Sequence, residues 1–173
     1  DHLGAVPYLW PELRCPVFAT PFAIAALRRK LDGGLLEQLW PIAVPKDGRL
    51  QIGPFALELI GITHSIPEAK SVAIRTDLGV VLHTGDWKLD PHPVVGPPSD
   101  EDALRRLGDA GITALICDST NVFEKGKTGS EGDIVETLTE LVADCPYRVV
   151  VTCFATNIAR LHTIAQAARA AGR

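Results

Sequence analysis

The chain has 173 residues, of which 46% are hydrophobic and 22% charged, the composition of a folded globular protein and not of a disordered or fibrous one. A formal charge of -4 gives no general attraction for nucleic acid, so a polyanion would have to meet a local positive site such as a bound metal. The apolar runs are too short or too interrupted to cross a bilayer and no basic-then-apolar leader opens the chain, so a cytoplasmic protein without membrane contact is expected.

Asp1 and His2 open the Gly- and Pro-punctuated stretch DHLGAVPYLWP. An adjacent Asp-His pair at a fraying terminus means little by itself. Next, ATPFAIAALRRKLDGG predicts a helix, with Thr20 as N-cap, Pro21 at the first helical position and Gly33 or Gly34 as the stop. FALELIGIT reads as a strand that delivers His64 at its end. SVAIRT and VVLHTGD flank the turn DLG as a β-hairpin running into Asp86. The proline-rich DPHPVVGPPSD is the most linker-like segment and marks a module boundary near residues 91–99.

Beyond it, SDEDALRRLGDAG predicts a helix with Ser99 as cap, Asp102 three residues on and Gly108 as stop. ITALICDSTN reads as a buried strand ending in polar residues, and SEGDIVETLTELVADC as an amphipathic helix capped by Ser130. YRVVVTCFATN reads as a second buried strand, and a further helix starts near Asn157. This alternation predicts an α/β fold with a parallel sheet. Ligands of such sheets bind at the carboxyl ends of strands, where CDSTN and FATN fall. The four cysteines form no C-x-x-C pair; Cys117 and Cys153 lie in apolar runs and are expected as buried structural thiols.

Taken singly, His64 is a strand-end histidine and Asp86 an Asx-turn residue after Gly85. Taken with Asp1 and His2 they supply nitrogen and carboxylate ligands of the kind zinc and manganese use. A carboxylate at Asp86 could bridge two such ions and so lower the pKa of a trapped water. His83 reads as strand packing, His92 as linker, and His162 and Lys88 as surface residues. Gly126-Lys127-Thr128 imitates a P-loop, but Asn121 stands where the earlier glycine is required. Neither a G-x-S-x-G elbow nor an H-E-x-x-H helix occurs.

DHLGAVPYLWPEL, THSIPEAKSVAIRTDLGVVLHTGDWKLD, ICDSTN and VVVTCFATNIARL together resemble the bacterial ribonucleases of the β-CASP branch of the metallo-β-lactamase-fold nucleases, over nearly the whole chain. The resemblance implies an N-terminally truncated part of a metallo-β-lactamase αββα sandwich over residues 1–95, then the start of an α/β β-CASP domain with a parallel sheet over residues 96–173. In that family Asp1 and His2 would close a His-x-His-x-Asp-His signature and ligate one metal. His64 would ligate the other, and Asp86 would bridge both around the attacking hydroxide, making Asp1, His2 and Asp86 the catalytic set. Asp118 would support the metal site through hydrogen bonds. Thr156 and Asn157, in FATN where the family has FASN, would lie near the RNA phosphate.

The resemblance further implies a metal-dependent ribonuclease, endonucleolytic, 5'-exonucleolytic or both, carrying two divalent ions, zinc or else manganese. RNA is the implied partner, with a homo-oligomer in the full-length protein and membership of an RNA-degradation complex. The first two histidines of the signature and the later β-CASP histidines are not in the chain, which therefore reads as an internal fragment. Alone it is expected to bind metal weakly, because one ion would keep only His64 and Asp86. Two other classes share part of this pattern. A hydrolase of small esters, thioesters or lactams would use the same ligands but leave CDSTN and FATN without a role, and a non-catalytic scaffold of RNA degradation would not need Asp86.

Overall fold

A computed structural model describes residues 2–173; Asp1 lies outside the described residues. The 3-10 turn His2–Ala5 leads into α1 (Val6–Leu13). In α2 (Pro21–Lys30), Thr20 Oγ1 accepts the N–H of Ala23 at 3.3 Å and Pro21 has no N–H to leave unpaired. The expected glycine stop is displaced. Asp32 Oδ1 accepts the Leu35 N–H at 2.8 Å and starts a new helix, α3 (Gly33–Leu39), with Gly33 as its first residue. Leu27, Leu31 and Leu39 form the buried seam of this region, with Leu3, Val6 and Trp10 packed against them. Strands β1 (Phe18–Ala19) and β2 (Ile42–Ala43) add a short parallel pair.

The main sheet has the order β3 (Arg49–Ile52), β4 (Phe55–Gly61), β5 (Lys70–Thr76), β6 (Gly79–His83), β7 (Ala114–Ile116). The first three pairings are antiparallel and β6 with β7 is parallel. The expected hairpin is therefore β5–β6, closed where Thr76 pairs with Gly79. A parallel pair needs a crossover, and α4 (Glu101–Ala110) supplies it. Its Ala103 and Leu107 pack on Ile60, Ala73 and Leu82 of the sheet to form the main core. The cap of α4 is Asp100, whose Oδ1 accepts the Ala103 N–H at 2.9 Å, not Ser99. The helix also runs past Gly108 to Ala110.

Because α4 and β7 complete this sheet and its helical cover, the expected division at residues 95 and 96 does not coincide with a break in packing; the proline-rich segment is part of the crossover. After β7, α5 (Ile134–Asp144) and α6 (Ile158–Ala170) pack as a pair. Ser130 does not cap α5. The N-cap position is Asp133, without a side-chain capping bond. The α/β class with a parallel pairing is present, but two expected buried strands are not. Only Ala114–Ile116 of ITALICDSTN is paired, and it is exposed, since β7 is bonded on one side only. YRVVVTCFATN forms no strand: its backbone meets no partner strand among the described residues, and Tyr147, Val150 and Phe154 are exposed. Cys117 and Cys153 are exposed for the same reason. No helix among the described residues is long and apolar enough to cross a membrane.

The hairpin tolerates only glycine at its exit. Gly79 has φ +134 and a Cβ there would stand 2.0 Å from Thr113 Oγ1, while Thr113 exchanges bonds with Val80 of 2.7 and 3.1 Å that start the β6–β7 register. Gly79→Ala should therefore destabilise the protein by about 2 kcal/mol or more. Urea unfolding checks this, and Gly79→Ala combined with Thr113→Ala should recover only the steric part.

Candidate functional site

The chain leaves β6 through a turn that is fixed from both sides. The Thr84 N–H donates to Ile116 O at 3.0 Å in β7, and Ser71 Oγ in β5 donates to Thr84 O at 2.8 Å. Thr84 Oγ1 donates to Gly85 O at 2.7 Å and accepts the Asp118 N–H at 3.1 Å. Gly85 has φ +63, with Lys70 O only 3.3 Å from where its Cβ would be. This geometry turns Asp86 out at the carboxyl end of β6, where its carboxylate meets His2 Nε2 at 3.1 and 3.2 Å across 84 positions of sequence.

His64 follows β4. Its backbone neighbour Thr63 is held by Ser99 Oγ, which accepts the Thr63 N–H at 2.8 Å and donates to Lys88 O at 3.0 Å, with Lys88 bridged to Thr63. Ser99 is thus a tie between strand ends. The half-buried His64 imidazole has Nδ1 3.3 Å from Ser65 Oγ. Burial holds its pKa below the ordinary value, with the Asp86 carboxylate pulling the other way. The neutral ring that results is the form that ligates metals.

Asp118 sits just beyond β7. Thr120 donates to its Oδ1 from Oγ1 at 2.6 Å and from its backbone at 3.0 Å, and these bonds hold the carboxyl below its usual range. Trp87 Nε1 donates to Asp118 O at 3.2 Å. His2, His64, His83, Asp86, Cys117 and Asp118 all line one open cleft of about 670 Å³. His83 is not strand packing: its ring is exposed and Nδ1 accepts the Gly85 N–H at 3.0 Å.

Imidazoles and carboxylates are the donors zinc and manganese prefer, and a catalytic zinc takes three protein ligands plus water. Among the described residues no group of three or more His, Cys, Asp or Glu is gathered closely enough to hold an ion. The described residues match a metal centre in kind but are not gathered closely enough to complete one.

Asn157 caps α6, its Oδ1 accepting the Arg160 N–H at 2.9 Å. With His64, Lys88, Asp90 and Glu131 it lines a smaller cavity of about 160 Å³ that shares His64 with the cleft. Thr156 is exposed and lines neither space. Lys88 is not a free surface cation, since its Nζ lies 3.3 Å from Asp90. Sequence reasoning passed over Asp90, which is 3% exposed; the signal available was a carboxylate directly before Pro91. It accepts from Ser130 Oγ at 2.6 Å and from the backbone N–H groups of Glu131 and His92 at 3.0 Å.

Comparison with known proteins agrees with the motifs. Over its full length the chain is 45% identical to ribonuclease J of Sinorhizobium meliloti, covering 31% of that protein. It is 42% identical to ribonuclease J of Mycolicibacterium smegmatis, covering 31%, and 38% identical to that of Thermus thermophilus, covering 32%. The chain spans about a third of the length of these curated relatives. A crystal structure of a protein of unknown function from Enterococcus faecalis V583 superposes with a TM-score of 0.61 at 19% identity, over 90% of this chain and 43% of that one. That likeness bears on the fold alone. No protein-family model matches. The chain matches a segment of ribonuclease J throughout, and it has the metallo-β-lactamase and β-CASP fold that its motifs imply.

The surroundings of Asp90 set a pH dependence. Burial opposes its charge, but the bonds from Ser130, Glu131 and His92 and the nearby Lys88 outweigh burial and bring its pKa to about 2. An unfolded Asp titrates near ~3.9, so the folded state gains about 2 kcal/mol above that pH and loses it as pH falls through ~4 toward ~2. Urea unfolding of wild type and Asp90→Asn at a series of pH values should show a stability gap that is full at neutral pH and closes across that window.

Proposed function

We propose, from its match to ribonuclease J, that the protein to which this chain contributes is a metal-dependent ribonuclease of the cytoplasm. It hydrolyses RNA phosphodiester bonds by endonucleolytic cleavage, 5'-exonucleolytic cleavage or both, in RNA processing and decay, as a homo-oligomer within an RNA-degradation assembly. The observation that carries this reading is the His2–Asp86 contact, which brings the two ends of the chain's ligand pattern together on the cleft that His64 and Asp118 also line. The metallo-β-lactamase part extends through β7 and the β-CASP part begins beyond it.

His2, His64 and Asp86 are this chain's share of the metal shell, with Asp1 the further ligand expected from the motif. Zinc suits these donors and manganese is the alternative. A bound pair of ions would supply Lewis acidity at the phosphate and a water of lowered pKa. The chain's own groups do the rest. The Thr84 turn holds Asp86 still, so little reorganisation is needed when substrate arrives. Asp118, tied to Thr120, keeps a negative charge facing the imidazoles and so favours their orientation toward the cleft.

Asn157, which lines the smaller cavity with His64, would be the phosphate contact. Its Oδ1 is used by the helix N–H of Arg160, so the amide hydrogens on Nδ2 remain as donors for a phosphate oxygen. Thr156 Oγ1 adds a hydroxyl at the same helix start. An acidic chain can bind RNA in this way because the positive field is local, from ions and oriented N–H groups, and not from net charge.

Asp86→Asn in the full-length protein should lower turnover of 5'-monophosphorylated RNA by more than about 100-fold, since even residues behind the metal ligands cost up to about that much. Unchanged turnover would leave only a scaffold role. Parallel assays on a thioester panel should show no activity; hydrolysis there with none on RNA would overturn the ribonuclease reading in favour of a small-molecule hydrolase.

A further inference from the structure

Four segments distant in sequence are joined beside the site by one continuous set of hydrogen bonds. Asp90, four residues after Asp86, takes Ser130 Oγ at 2.6 Å and the Glu131 N–H at 3.0 Å. The Glu131 carboxylate takes Arg160 Nε at 2.6 Å and Nη2 at 3.2 Å, a two-pronged pairing. The Arg160 backbone N–H goes to Asn157 Oδ1 at 2.9 Å. Its neighbour Ala159 donates its N–H to Ser65 O at 3.2 Å, next to His64. The chain of contacts thus begins on the loop that carries Asp86 and closes on the residue after His64.

Two properties make this more than packing. The Glu131 side chain is 15% exposed, so removing Arg160's fork would leave a largely buried carboxylate without its partner. The fork is also planar, which fixes orientation as well as distance, and lysine cannot reproduce it. Through Arg160 the pairing sets where α6 begins, and with it the direction of the Asn157 amide.

We infer that Glu131 and Arg160, anchored on Asp90, are positioning residues that hold Asn157 at a fixed place beside His64. Neither touches the reacting atoms. The inference rests on the ribonuclease reading for its catalytic consequence, but its structural content can be measured without it.

Hydrogen exchange in the full-length protein tests the structural content. In Arg160→Lys and Glu131→Gln the amides of Ala159 and Arg160 should exchange about tenfold faster or more, while those of Leu57 and Leu59 in β4 stay unchanged. Unchanged exchange at Ala159 and Arg160 would overturn the inference. Kinetics on 5'-monophosphorylated RNA test the consequence. Arg160→Lys should lower kcat/KM about tenfold, and so should Asn157→Ser, which keeps the helix cap but removes the amide donors. The Arg160→Lys, Asn157→Ser double variant should be no worse than about twofold below either single one, because both act through one group. Losses that multiply would overturn the inference. An Asn157→Ser protein with wild-type turnover would instead remove Asn157 from the ribonuclease reading, and exchange at the two amides would still decide the positioning.

Discussion

The site depends on one small buried side chain. Thr84 is 8% exposed and spends every polar atom it has: its N–H on β7, its carbonyl on Ser71 of β5, and its hydroxyl on both Gly85 and Asp118. Buried hydroxyls and amides persist only when paired, so this residue welds the hairpin to the edge strand. Asp86 and Asp118, 32 positions apart in the chain, follow the carboxyl ends of the two parallel strands it joins and line the same cleft. Valine at this position would keep the shape and lose both hydroxyl contacts, so hydrophobicity alone does not explain the threonine.

The hairpin, α2, α4 and α6 were legible because their signals are local. Thr20 with Pro21, the turn after Thr76 and the Asn157 cap each act within a few residues. Ser99 and Ser130 were misread as helix caps for a physical reason: a serine hydroxyl before a helix looks the same in sequence whether it bonds the helix or something remote. Here Ser99 bonds Thr63 and Lys88, and Ser130 bonds Asp90, contacts that no local pattern reports. The strands expected in ITALICDSTN and YRVVVTCFATN departed in the other direction: the first pairs only over Ala114–Ile116 and stays exposed, and the second does not form. Their apolar composition states that they can pair, and pairing needs a neighbouring backbone that the described residues do not offer on that side.

The candidate ligands were legible only as a set. His64 and Asp86 have ordinary local explanations, and it is the return of His2 to Asp86 that distinguishes them. The Asp90, Glu131 and Arg160 contacts were not legible at all, since their partners are 29 to 41 positions apart and carry no motif. Electrostatic pairing of this kind is recognised by geometry, after the fold has set it.

The unpaired side of β7 has one more consequence. Leu115 and Ile116 on that strand are exposed, and so, separately, are Val150, Val151 and Phe154 in an uncharged β-branched run that pairs with no strand among the described residues. A short segment rich in β-branched residues, without charge or proline, is a template for intermolecular strand pairing. In this chain taken by itself, each of the two stretches therefore invites association that rises with concentration even where the fold is intact, and a lysine at Val150 would act as a gatekeeper within the second of them.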